Sequence, residues 1–304
     1  MNLKHVFLTT AIIAIIFSCK KSDPEPTIKN EEDLEVVNST SFEKIEMKVS
    51  QEIKAEPYFM VGYGYDAKEN LLFVNKGLRA KILDTKKLSQ STEIYRQFGS
   101  TGGGKVRENM SKDQLLRELE LYFGFTAEKF GTTETEILTN IPESSEDIQL
   151  SHYYAENFSY GTYEFSAKKP VFQLQEFINF VNNNTPTDIV KKYGTHIIIS
   201  CSKGASAKLI KYLQKKTILE NKVAKDWKIS AFVLGGDLRV FDFHPTKNTI
   251  DVSAWLNTLT EENGDFISFG RYDPVLLYEL ISDKSKKLEL KNYIDNYLGI
   301  KKGS

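Results

Sequence analysis

The chain has 304 residues, 40% of them hydrophobic, and a formal net charge of -1. That apolar content suffices for a well-buried core, and without a dense Lys/Arg stripe no nucleic-acid partner is expected. Two cysteines, Cys19 and Cys201, exclude a disulfide framework; no HExxH helix, paired Cys/His set or nucleophile elbow calls for a metal, a cofactor or an enzyme.

The chain opens on a targeting segment. Lys4 and His5 precede an apolar run over 6–17, shorter than the about 20 residues that span a bilayer. The run ends at Ser18-Cys19, followed by Lys20-Lys21. A small residue before Cys, after such a run, resembles a bacterial lipoprotein cleavage site. On that reading 1–18 is a signal peptide and Cys19 becomes the acylated first residue. It is then held in membrane lipid by about 0.8 kcal/mol per buried CH2. The alternative is a plain secretory signal with an incidental cysteine. The expected location is the outer membrane or cell surface of a Gram-negative cell.

Residues 19–56 read as a flexible tether, because SDPEP and NEEDLE are polar, acidic and proline-bearing and cannot bury enough surface to order themselves. The early acidic residues resemble surface-export signals of some lipoproteins, or are a solvated spacer. Phe42, Ile45, Val49 and Ile53 recur at helical spacing and predict a helix that closes the tether.

A single domain is expected over 57–300, with 301–304 as a tail. Residues 58–73 read as strand, glycine turn, strand. GSTGGGKV, residues 99–106, satisfies G-x-x-x-x-G-K, but Val106 stands where a phosphate-binding loop needs Ser or Thr; it reads as a flexible glycine loop. Ser111 and Gln114 form a capping-box pattern opening a helix to Phe123. Residues 123–150 are ambiguous, 152–165 alternate like a long amphipathic strand, and 171–182 read as a helix.

The central stretch is 185–205. Thr185 and Pro186 open a short helix, Gly194 stops it, and Ile197, Ile198 and Ile199 predict a strand buried on both faces. His196, before that strand, reads as a hydrogen-bonded core residue rather than a ligand. Residues 209–230 read as an amphipathic helix. Read with period two, Leu219, Val223, Trp227 and Ile229 share a face. Residues 231–243 predict a strand with Gly235 and Gly236 inside it, allowing a bend.

Tyr193, Gly194, Thr195 and His196, then a strand, then Gly204 and Ala205, resemble the signature of the membrane attack complex/perforin (MACPF) family. Ile197 stands where the family has an aromatic and Ala205 where it has a second glycine. Gly62-Tyr63-Gly64-Tyr65-Asp66, Trp255, the 266–281 segment and a closing helix to Leu298 follow the family's order, so the resemblance covers 57–298. It implies an α+β fold: a bent, mainly antiparallel four-stranded sheet flanked by two helical clusters. The clusters would fall at 123–150 and 209–230, and unfurl into membrane-crossing hairpins. The glycine pair would mark the sheet bend. No C-terminal targeting domain of the kind many relatives carry is expected. The implied function is pore formation by a homo-oligomeric ring in a target membrane or on a receptor of unknown identity. The alternative is a non-lytic surface protein that binds or adheres.

Overall fold

The computed structural model describes residues 35–46, 53, 56–68, 74–123, 141–142, 145, 147–219, 222–244 and 249–300. The signal segment with Cys19, Val49, residues 124–140 and the tail 301–304 lie outside them.

The described elements in chain order are β1 (Glu35–Glu46), β2 (Tyr63–Tyr65), β3 (Leu78–Lys81), α1 (Thr85–Gln90), β4 (Ile94–Met110), α2 (Lys112–Phe123), β5 (Ile148–Thr162), α3 (Glu164–Lys168), α4 (Gln175–Asn183), α5 (Pro186–Tyr193), β6 (His196–Ile197), β7 (Ser200–Leu219), β8 (Lys222–Leu234), β9 (Phe243–His244), β10 (Thr249–Ile250), α6 (Val252–Leu256), β11 (Asp265–Ser268), β12 (Val275–Leu276) and α7 (Lys284–Leu298). The helix starts follow local chemistry. Ser111 N–H donates to Gln114 Oε1 at 2.9 Å while Gln114 N–H donates to Ser111 Oγ at 3.3 Å, the reciprocal box expected at α2. Thr185 accepts from Asp188 N–H at the start of α5, with Pro186 in its first turn.

The main sheet has the order β1-β8-β7-β5-β4, with β11 paired to β7. Its middle is antiparallel throughout, β8 on β7, β7 on β5 and β5 on β4. A second sheet, β12-β6-β2-β3, lies in the larger core with α4, α5 and α7. One face of the main sheet packs Ile148, Leu150, Ile210 and Phe232 against Leu115 and Leu119 of α2. The other packs Ala205, Ala207, Ala231 and Val233 against Phe241 and Trp255.

The ladder slips at one height. β4 shifts register between Phe98 and Thr101, and β5 between Glu156 and Phe158 opposite Gly204 and Lys203 of β7. Bulges in neighbouring strands at one level bend and twist a sheet. β8 ends just short of this height: Gly235 and Gly236 follow its last residue, Leu234, rather than lying inside a strand. Both take left-handed backbone, with φ of 68° and 67°.

Further expectations need correction. Residues 35–46, read as unordered tether, form β1, which pairs along one edge with twelve parallel partners on β8; composition cannot see a distant strand edge. Phe42 and Ile45 lie on that strand, not on a helix. The glycine loop 99–106 is part of β4. Residues 209–219 and 222–230, read as part of a helix, lie on the long antiparallel strands β7 and β8.

A side chain at Gly235 would come 2.2 Å from Gly204 O. Gly235→Val should therefore destabilise the fold by more than the about 1–3 kcal/mol of backbone strain alone. Gly99→Val, where nothing lies within 4 Å, should change stability by less than about 0.5 kcal/mol. Urea unfolding of both variants measures the difference, and equal midpoints would contradict it.

Candidate functional site

The Tyr193–His196 motif is a knot between elements. Tyr193 meets Phe177 and Phe180 edge-on, with ring centroids 5.0 and 5.6 Å away. Gly194 takes φ of 78°, and a Cβ there would lie 2.4 Å from the Tyr65 carbonyl. Its N–H donates to Val190 O at 2.7 Å, ending α5, and Thr195 N–H donates to Tyr65 O at 2.9 Å. Thr195 Oγ1 accepts from Ala67 N–H at 3.0 Å and sits 2.8 Å from His196 Nδ1. β6 then pairs with β2 on one side and β12 on the other. His196 is 1% exposed, and burial pushes its imidazole down to about 3. It is neutral at working pH and built into the core. Cys201, at the start of β7, is a buried free thiol pushed up to about 12 by burial.

Gly204 lies where two backbones touch: a Cβ would come 2.0 Å from Ala155 O. Gly236 closes against Trp255, whose Nε1–H donates to Gly235 O at 3.1 Å. The motif glycines thus set close approaches between backbones and packed side chains.

The hairpin is the exposed element. Val223, Trp227 and Ile229 share one face, but Leu219 pairs with Lys222 and so points to the other. In this register, from Lys215 to Leu219, an odd-numbered residue of β7 faces an even-numbered one of β8, so spacing along the chain does not carry a face from one strand to the other. In its outer part the first face carries Leu213, Lys216 and Ile218 against Trp227, Lys225 and Val223. The opposite face carries Lys215, Thr217, Lys222, Ala224, Asp226 and Leu219. Val223 is buried, whereas Ile218 is 57% exposed and Leu219 43%. Val36 and Val37 of β1, also exposed, lie beside Val223 and Ala224.

Sequence reasoning missed a basic row across the sheet. Lys105, His152 and Lys208 are successive cross-strand partners, and His152 and Lys208 are buried. His152 Nε2 lies 3.1 Å from Ser206 Oγ. The alternation in 152–165 marked a strand, but no local signal distinguishes a buried lysine from an exposed one. A cleft of about 650 Å3 is lined by His196, Arg271, Tyr272, Tyr278 and Lys291, among others. Lys291 and Lys168 there are already paired, with Asp295 and Glu164. Among the described residues no metal-ligand cluster occurs and no helix is long and apolar enough to cross a membrane.

No family model matches the sequence, and neither does any curated protein. Among solved structures, a protein with a MAC/Perforin domain from Bacteroides thetaiotaomicron matches with a TM-score of 0.59 at 14% identity, over 84% of this chain and 62% of that one. GNIP1Aa from Chromobacterium piscinae matches with a TM-score of 0.57 at 11% identity, over 80% of this chain and 56% of that one. The chain therefore spans less than two thirds of either neighbour. The fold is α+β and MACPF-like.

His196 generates a pH test. Its folded pKa of about 3 lies below the about 6.5 of an unfolded histidine. As pH falls, the unfolded chain takes the proton first. The stability is complete above about pH 6.5 and is lost as pH falls toward 3. His196→Asn should remove up to one proton, about 1.4 kcal/mol per pH unit, from the slope of stability in that window. An unchanged slope in urea titrations would contradict a buried neutral imidazole.

Proposed function

We propose that this protein is a membrane-attack protein of the pore-forming kind. In this reading it is a surface lipoprotein held in lipid through acylated Cys19. Copies assemble into a ring and pass β-hairpins into a target membrane, with rival bacteria as one class of target. No reaction chemistry is involved. The driving force is burial of apolar hairpin faces, with backbone groups bonded between strands because lipid offers no partners.

The observation that carries this reading is the β7–β8 hairpin. Its strands of 20 and 13 residues exceed the about 9–11 that a tilted transmembrane strand needs. Leu213, Ile218, Val223, Trp227 and Ile229 fall on one face, with Lys211, Lys216 and Lys225 among them, while the opposite face is mostly polar; a barrel wall sorts its faces in this sense. The hairpin is already extended, so this side needs no helix-to-strand conversion.

One observation favours the second reading, a non-lytic surface protein that binds or adheres. Lys216 and Lys225 are direct cross-strand partners on the apolar face. Each would cost about 2–4 kcal/mol at the bilayer midplane.

Dye release from liposomes, with electron microscopy of the same samples, separates the two. The pore reading expects release and rings; rings or bound protein without release from any membrane tested would leave the binding reading. Because Ile218 is largely exposed, Ile218→Lys should leave monomer stability within about 0.5 kcal/mol. Ile218 lies one pair from the described end of the hairpin, so on insertion the new charge must be carried through the bilayer core. Selective loss of release supports insertion, and full release by the variant would contradict it. Cys19→Ala should abolish fatty-acid incorporation and detergent partitioning; unchanged labelling would rule Cys19 out as the lipid site.

A further inference from the structure

Resting on the reading above that the outer end of β7 and β8 meets lipid, we infer the class of that lipid. The sheet docks end-on to a bilayer of anionic phospholipid, and the lysines near its end take the headgroup phosphates.

Charge singles out the place. The whole chain carries a formal net charge of -1, so net charge gives it no attraction to an anionic surface. Residues 211–228 nonetheless hold six lysines against two acids, Glu220 and Asp226. Two of these lysines are engaged: Lys228 Nζ meets Glu43 at 2.9 Å, and Lys211 Nζ lies 5.0 Å from the centre of the Trp227 ring. Asp226 is taken up by Ser39, whose Oγ donates to it at 2.5 Å. Lys215, Lys222 and Lys225 make no ion pair among the described residues. Lys216 is the direct cross-strand partner of Lys225. Like charges so placed repel, and an anion lying against both relieves the repulsion.

Order along the strands sets the depth. The outermost described level holds Leu219, Lys222 and Glu35; the next holds Ile218, Val223 and Val36; the third holds Thr217, Ala224 and Val37. Ile218, Leu219, Val36 and Val37 are exposed. Lys216 and Lys225 come at the fourth level and Lys215 at the fifth, roughly 10–13 Å from Leu219 at about 3.3 Å per residue. Mostly apolar levels lead and ammonium groups follow. A segment bound at a lipid surface needs that order, its apolar part buried about 5–10 Å at the headgroup boundary and its lysines left among the phosphates. The long stem of Lys222 lets its ammonium reach back to the same layer.

Orientation follows from the faces. Lys216 and Lys225 lie on one face of the sheet, and Lys215 and Lys222 on the other. A sheet laid flat would offer the bilayer one of these pairs, whereas its end offers both. The lysines that oppose burial at the midplane are then the groups that hold the docked state.

The test uses the full chain carrying Cys19→Ala, so that no acyl group anchors it. It is sedimented with vesicles of phosphatidylcholine, or of phosphatidylcholine with about one third phosphatidylglycerol. Binding is expected on the anionic vesicles and should fall at least about ten-fold between low and high salt. Equal binding to both vesicles overturns the proposal. Lys215→Glu, Lys222→Glu and Lys225→Glu together should weaken binding about a hundred-fold. Lys86→Glu, Lys87→Glu and Lys191→Glu make the same charge change at exposed sites on α1 and α5, and should weaken it less than about three-fold. Equal losses in the two variants overturn the proposal. Should the first variant fail to fold by circular dichroism, wild-type binding that survives high salt overturns it instead. Inorganic phosphate should displace no more protein than chloride at matched ionic strength; greater displacement overturns the lipid surface in favour of a soluble anion. Self-association without vesicles, abolished by the lysine variant, overturns it in favour of a second copy. Anionic-selective binding with no dye release from any membrane supports the docking and overturns the pore reading. Release from phosphatidylcholine vesicles as fast as from anionic ones overturns the docking and leaves the pore reading in place.

Discussion

The fold depends on a crossing of two backbones that leaves no room for side chains. A Cβ at Gly64 would stand 2.0 Å from Tyr193 O, and one at Gly194 would stand 2.4 Å from the Tyr65 carbonyl. Two glycines let α5 end directly on β2, and Thr195 seals the crossing with bonds to Ala67 and Tyr65. Leu277 N–H donates to Thr195 O at 2.8 Å, which draws in the segment after β12. Three stretches far apart in sequence meet there. The chain leaves the crossing through Ile197, Ile198 and Ile199, all buried, and enters β7. The longest strand of the main sheet thus starts from a rigid base.

From that base the sheet outgrows its own cover. Its middle is packed on both faces, by α2 on one and by Phe241 and Trp255 on the other. Gly204 and Gly235 bring neighbouring backbones together at the height where the registers slip. Beyond it the hairpin runs toward an end where Ile218, Leu219, Val36 and Val37 are exposed. Scattered exposed apolar residues are ordinary on a soluble surface; here they gather at one end of a sheet, among lysines. In the proposed function that end is the part that meets lipid, and the base holds it steady.

The same geometry explains why β1 matters despite its unremarkable sequence. A long edge strand such as β8 exposes a row of unpaired backbone groups, which proteins cover, charge or bend away. Here cover comes from a strand almost two hundred residues earlier in the chain, held by parallel pairing and polar side chains more than by apolar burial. The cover moves the open edge outward by one strand.

Local chemistry made much of this legible before any coordinates. Thr185, Pro186 and Gly194 specify α5 because caps and terminators act within one turn. Ser111 and Gln114 specify the start of α2 for the same reason, and the alternation over 152–165 specifies β5. The order of motifs, read as a resemblance, carried the fold class. Tertiary structure alone decided the rest, because the missing information lies between distant segments. Residues 35–46 are a strand only because β8 offers an edge. Residues 209–230 suit a helix or a strand by pattern, and pairing with β5 and β1 makes them a hairpin. Leu219 parts from Val223, Trp227 and Ile229 because strand pairing across a turn, rather than spacing along one chain, assigns faces. Lys208 and His152 are buried because neighbouring strands and α2 close over them, which their own sequence neighbourhood does not encode.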